Sequence, residues 1–240
     1  MDHRTIIDAH DLVKIYDEKT IPLYALNGVH LHIEGGEFIA VKGPSGSGKT
    51  TLLNMIGGLD SPTRGYVEIG GTNITALRGS DLIEFRLRNI GFVFQSYNLI
   101  PVLTAEENIE FIMTLQNWPK AKIKARVREL LQQIGLEDKA KKRPGELSGG
   151  QQQRVAVARA LAPKPQFILA DEPTANLDSV TAGKLLDMML QLNQQENMTF
   201  VFSTHDPRVI ERARRVITLE DGKIVDDTAP IALKHSGHVL

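Results

Sequence analysis

One stretch, Gly43-Pro44-Ser45-Gly46-Ser47-Gly48-Lys49-Thr50, limits what this chain can fold into more than any other, because it fits the pattern G-x-x-x-x-G-K-[ST]. The glycines let successive backbone N–H groups turn inward as a concave nest for β- and γ-phosphates. Lys49 would reach the terminal phosphates as a point charge, and the Thr50 hydroxyl would take one position on Mg²⁺. The flanks agree. Residues 37–41 predict a buried strand running in, and residues 51–56 predict a helix whose N-terminus faces the phosphates.

The 240 residues suffice for one large domain or a domain with a subdomain. A formal net charge of −1 gives no electrostatic case for nucleic acid. With no cysteine, disulfide and thiolate chemistry are excluded. The opening Met1-Asp2-His3-Arg4-Thr5 lacks a charged-then-apolar signal pattern, which favours the cytoplasm. No apolar run approaches the roughly 20 residues that span a bilayer, so action at a membrane requires another chain.

Residues 6–16 alternate like a strand, and Val29, Leu31 and Ile33 alternate with His30 and His32, so an antiparallel β segment is expected first. The two histidines belong on its solvated face, with no carboxylate or third histidine in register beside them. Tyr16, near the end of the first strand, either packs or stacks on an adenine ring. Residues 66–69 followed by Gly70-Gly71 predict a strand and a tight turn. Residues 81–88 predict a helix, with Asp81 and Glu84 at capping-box spacing. A strand from Ile90 ends in the polar Gln95, which either terminates it or points into a ligand crevice.

From Ser96 the pattern turns helical. Thr104 and Glu107 have capping-box spacing and open a helix that Trp118-Pro119 interrupts. Beyond the break, Ile123, Val127, Leu130, Leu131 and Ile134 form one apolar face. Lys120, Lys122, Lys124, Arg126 and Arg128 are expected in solvent, with anionic lipid headgroups as the alternative. Residues 96–146 are thus expected to form a helical subdomain inserted in an α/β core.

A second anion site is predicted at the start of the next helix. Ser148 and Gln151 have capping-box spacing, and Gly149-Gly150 bare the backbone at the positive end of the helix dipole. The apolar run 167–170 predicts a buried parallel strand ending in Asp171-Glu172. Two carboxylates beside a phosphate loop suit metal-assisted hydrolysis, with Asp171 holding Mg²⁺ and Glu172 polarising the attacking water. Residues 199–203 predict another buried strand, delivering His205 to the same place, to a γ-phosphate or to the water. Asp221-Gly222 marks a hairpin. From Asp226 to Leu240 no periodicity is evident.

Taken together, Gly43–Thr50, Gln95, 147–151, 167–172, 175–178 and His205 resemble the motifs of the ATP-binding-cassette (ABC) ATPases, the nucleotide-binding subunits of ABC transporters. The resemblance covers about residues 4–228, leaving 229–240 as a tail. It implies an α/β P-loop NTPase core of RecA-like type, with an N-terminal antiparallel β subdomain and the inserted helical subdomain. It implies ATP and Mg²⁺ as cofactors. ATP would lie on residues 43–51, including Thr51, with Tyr16 on the adenine. Thr50, Gln95 and Asp171 would serve Mg²⁺, with Glu172 as base and His205 at the γ-phosphate. Ser148, Gly149, Gly150 and Gln151 would reach the ATP held by a second subunit, and Asp178 would lie in the loop linking the two sites. Two phosphate sites in one domain are then explained by a head-to-tail homodimer around two shared ATP.

Ser96–Asn108 and Ala170–Ser179 look like the branch of lipoprotein-releasing and macrolide-exporter ATPases. That branch implies a peripheral protein at the cytoplasmic face of the inner membrane, driving a permease with an extracytoplasmic domain. A regulatory ATPase of a cell-division or cell-wall hydrolase complex is the alternative. A soluble ATPase of DNA repair or translation is disfavoured by the lack of a coiled-coil insertion, of a second cassette and of basic charge.

Overall fold

The computed structural model describes residues 4–17 and 21–228; the predicted tail 229–240 lies outside the described residues. The antiparallel segment forms first, as β1 (Thr5–Tyr16) and β2 (Leu23–Glu34). The phosphate loop then links β3 (Phe38–Lys42) to α1 (Lys49–Ile56). β4 (Arg64–Ile69) and β5 (Thr72–Asn73) complete a four-stranded sheet in the order β2-β1-β4-β5. Next come α2 (Gly79–Asn89), β6 (Ile90–Val93), α3 (Ala105–Leu115) and α4 (Lys120–Gln133). The chain continues through α5 (Gly149–Leu161), β7 (Phe167–Asp171), α6 (Ser179–Glu196) and β8 (Thr199–Ser203). It closes with α7 (Pro207–Arg212), β9 (Arg215–Glu220) and β10 (Lys223–Thr228).

The second sheet runs β10-β9-β3-β8-β7-β6 and is parallel except at β10. Its strands are apolar on both faces because both faces are covered. Ile39, Val41, Phe167, Leu169 and Val201 point to one side, where they pack with α1 and the antiparallel sheet. Phe38, Ala40, Ile168, Phe200 and Phe202 point to the other, into a core shared with α3, α4, α5 and α6. The period of two along each strand thus divides the molecule into two cores about one sheet.

Four local expectations change. Asp81 does not cap α2; Arg78 holds the cap position without a side-chain bond, and Glu84 pairs with Arg88 four residues on. Arg126 is buried, not solvated. Its guanidinium grips Glu196 with both terminal nitrogens at 3.0 and 2.7 Å, tying α4 to the end of α6. His30 and His32 are exposed as expected, yet a carboxylate and a third histidine do stand in register. Asp8 pairs with His32 across β1–β2, and its Oδ2 lies 3.0 Å from His10 Nε2. Finally, β10 continues through Thr228, where Arg215 pairs with Asp227 at 2.7 Å.

Candidate functional site: a phosphate-loop cleft

Three parallel strands end at one crevice. The phosphate loop follows β3, Asp171 ends β7, and His205 follows β8, which lies between the other two. Backbone bonds fix this edge: the Thr204 N–H donates to the Val41 carbonyl at 3.0 Å, and the Glu172 N–H to the Ser203 carbonyl at 2.9 Å. A cleft of about 670 Å³ opens there, bounded by the loop from Gly43 to Thr51 and by Tyr16, Glu172 and His205.

The loop needs its glycines. Gly48 has φ 102°, and a Cβ on it would sit 2.2 Å from the Ala25 carbonyl oxygen. Gly46 (φ 80°) faces open space, so its left-handed backbone and not crowding is what favours glycine there. No side chain caps α1, so its first N–H groups remain for an anion. Lys49 Nζ donates to the carbonyls of Gly43 and Pro44 at 2.9 and 2.8 Å, which holds the ammonium over the loop. The buried Ser47 hydroxyl has no hydrogen-bond partner among the described residues.

The Thr50 hydroxyl lies 3.3 and 3.2 Å from the two carboxylate oxygens of Asp171. A hydroxyl and a carboxylate at a phosphate loop fit Mg²⁺, a hard cation that completes its shell with water and phosphate oxygens. Among the described residues no three His, Cys, Asp or Glu side chains form a metal cluster of their own.

Glu172 has φ 46°, a left-handed backbone uncommon for this residue type. Its Oε1 lies 2.7 Å from His205 Nδ1, and its Oε2 accepts the Thr204 hydroxyl at 3.2 Å. At the opposite rim the Tyr16 hydroxyl donates to Asp60 at 3.0 Å, and Lys14 Nζ sits 5.0 Å from the Tyr16 ring centre. Burial, together with the Asp60 carboxylate, pushes the Tyr16 phenol above its usual range. Burial works against ionisation of Asp60, but hydrogen bonds from Lys14, the Ser61 N–H and Tyr16 outweigh it and hold that carboxyl below its ordinary value.

The remaining predicted residues do not line this cleft. Gln95 is exposed beyond β6, and its carbonyl accepts the Asn176 side chain at 3.0 Å. Ser148 caps α5 in a full capping box with Gln151. Asp178 caps α6, accepting the N–H groups of Val180 and Thr181 at 3.0 Å. Gly150 packs so tightly on Thr181 that a Cβ would come within 2.2 Å of its methyl carbon, while Gly149 faces the Tyr97 hydroxyl. The starts of α5 and α6 are therefore one packed unit. From α5, Gln153 Nε2 donates to the Pro173 carbonyl at 2.8 Å, directly behind Glu172.

Sequence reasoning missed Asp60, Thr174, Thr204 and Asp206, all of which bond to the residues above or to their loops. Asp206 carried one signal: an Asp immediately before Pro207 marks a helix start, and it does cap α7.

A parallel α/β core with a phosphate loop, a carboxylate pair and an antiparallel β layer defines a P-loop ATPase cassette. Residues 26–175 match the family model described as ABC transporter, and the chain belongs to that family as an ABC ATPase. The lipoprotein-releasing system ATP-binding protein LolD of Legionella pneumophila (strain Lens) is 42% identical over 219 residues, 91% of this chain and 96% of that protein. The macrolide export ATP-binding/permease protein MacB of Marinobacter nauticus is 42% identical over 95% of this chain, which corresponds to 35% of its own length. The ATP-binding cassette MJ0796, solved as a dimer in a post-hydrolysis state with ADP and Pi, superposes with a TM-score of 0.85. It is 42% identical, covering 93% of this chain and 98% of that one. The resemblance to the LolD and MacB branch is borne out by these relatives.

Proposed function

We propose that this protein is the nucleotide-binding subunit of a LolD- or MacB-type transporter, closing as a homodimer on two ATP and driving a separate membrane permease in lipoprotein release or in drug or peptide export. One observation carries the dimer. The cleft holds a complete phosphate loop with Glu172 and His205, while the Ser148–Gln151 helix start, a second anion-type site, lines no part of it. A second copy placed head-to-tail would bring Ser148, Gly149, Gly150 and Gln151 to the γ-phosphate, with Asp178 at the seam.

Residues 4–228 would form the cassette, with 96–146 as its helical subdomain. Residues 43–51 would cradle the phosphates, and Tyr16 would stack on the adenine. Thr50 and Asp171 would hold Mg²⁺ with Gln95 near it, and that ion would neutralise charge on the phosphates. Glu172 would take the proton of the attacking water while His205 contacts the γ-phosphate. No helix among the described residues is long and apolar enough to cross a membrane. By its likeness to the LolD and MacB proteins, the chain would sit peripherally at the cytoplasmic face of the inner membrane, on a permease with an extracytoplasmic domain.

Affinity purification of the tagged protein from mild detergent tests the assignment. Co-purification of a membrane protein with a large extracytoplasmic domain is expected. Recovery with division-associated or cell-wall partners instead would move the function to a regulatory ATPase.

A further inference from the structure

The loop after β7 and the loop after β8 carry Glu172 and His205, and a buried carboxylate joins them from behind. Asp206 Oδ2 accepts the Thr174 hydroxyl at 2.6 Å, a contact sealed from solvent. Thr174 belongs to the first loop and Asp206 to the second. The Asp206 backbone N–H donates to Thr204 Oγ1 at 3.0 Å, and the Thr204 O–H in turn donates to Glu172 Oε2 at 3.2 Å. The two hydrogen bonds use the Thr204 oxygen once as acceptor and once as donor, so the chain is consistent in its protons. Arg208 completes the anchor with nitrogens 2.7 to 3.1 Å from both carboxylate oxygens of Asp206.

We propose that Asp206 is a positioning residue which, through Thr174 and Thr204, locks the Glu172 and His205 loops in the geometry of hydrolysis. The proposal rests on Glu172 being the base. The lock has something to hold: Glu172 stands at φ 46°, a conformation that persists only where its surroundings impose it. Thr174 lies two residues beyond Glu172, and Thr204 and Asp206 flank His205, so the clamp closes around both groups without touching substrate. Burial disfavours the Asp206 charge, yet Arg208 and Thr174 hold its carboxyl down at about 2, so the clamp stays ionised throughout the neutral range. A slack clamp leaves the phosphate loop intact, and its effect therefore falls on the chemical step and not on ATP capture.

Steady-state ATPase kinetics of the full chain test this, on Thr174→Val, Thr174→Ser, Asp206→Asn and the control Glu172→Gln. Thr174→Val is expected to lower kcat about tenfold or more with the KM for ATP changed less than twofold, and Thr174→Ser to restore it. Asp206→Asn should do the same, and the double variant should be no worse than either single one, as for two ends of one contact. Wild-type kcat in Thr174→Val, or equal losses in kcat and KM affinity that Thr174→Ser does not rescue, would overturn the clamp. If Thr174→Val does not fold, Asp206→Asn decides by the same kcat and KM criterion. An inactive Glu172→Gln with a fully active Thr174→Val sinks the clamp alone, whereas an active Glu172→Gln removes the base on which it rests.

Discussion

Glu172 Oε1 and His205 Nδ1 meet at 2.7 Å although one residue follows β7 and the other β8. Parallel neighbours bring the two strand ends side by side, and the imidazole remains largely exposed at the cleft while the carboxylate is mostly enclosed. In its proposed role as base, Glu172 is oriented before substrate arrives, because its second oxygen is already held by Thr204.

Replacing that base should separate binding from turnover. Glu172→Gln keeps the shape but cannot take a proton, so kcat should fall by at least about 100-fold, the usual scale of general-base catalysis. ATP affinity, measured by equilibrium binding of a fluorescent analogue, should stay within about threefold of wild type. Normal turnover would exclude Glu172 as the base.

Gly48→Ala should disable the phosphate loop. The new Cβ meets the Ala25 carbonyl oxygen at 2.2 Å, and φ 102° is strained for any L side chain. A loss of about 1–3 kcal/mol in stability is expected from the strain, together with at least tenfold weaker ATP binding. Urea unfolding and nucleotide titration read the two effects, and unchanged affinity would count against the nest.

Arg126→Ala leaves Glu196 enclosed without its cation. Breaking a buried pair from one side costs about 3–5 kcal/mol, far more than the exposed pair Arg88–Glu84 could contribute. Urea midpoints of the two alanine variants, at Arg126 and at Arg88, should differ clearly. Equal midpoints would mean the α4–α6 tie contributes little.

Acid stability should report Asp206. Its carboxyl is lowered from an ordinary 3.8 to about 2 in the fold, so the protonated form is favoured in the unfolded chain. The resulting stabilisation is complete above about pH 4 and disappears as the pH falls through 2. A shift of that size corresponds to about 2 kcal/mol. Asp206→Asn should flatten this part of the stability curve between pH 4 and 2; an unchanged slope there would contradict the assignment.

Much of the fold was legible in local pattern. The alternation about His30 and His32 placed Val29, Leu31 and Ile33 inside, and the apolar runs at 167–170 and 199–203 gave the central strands. The capping boxes at Thr104 and Ser148 formed as spaced. What failed was set by partners distant in the chain. Arg126 looks like any solvated basic residue until Glu196, 70 positions away, comes beneath it. Asp8 reaches His32 only through a β1–β2 register interrupted by bulges, which neither strand reveals alone. Asp81 met the spacing rule, but α2 begins two residues earlier, at Gly79. The same limit hid Thr174 and the place of Asp206 in the site: Asp-Pro marks a helix start, but the contact with Thr174 exists only once the sheet sets β7 beside β8.

The mass of Glu172→Gln by light scattering, with and without saturating Mg²⁺-ATP, tests most directly whether two copies complete each other's sites. A shift from about 27 kDa to twice that value on adding ATP is expected from the 26.6 kDa chain, and Ser148→Arg placed on the same background should abolish the shift. A monomer at saturating ATP, or a dimer indifferent to Ser148→Arg, would contradict the shared-site dimer.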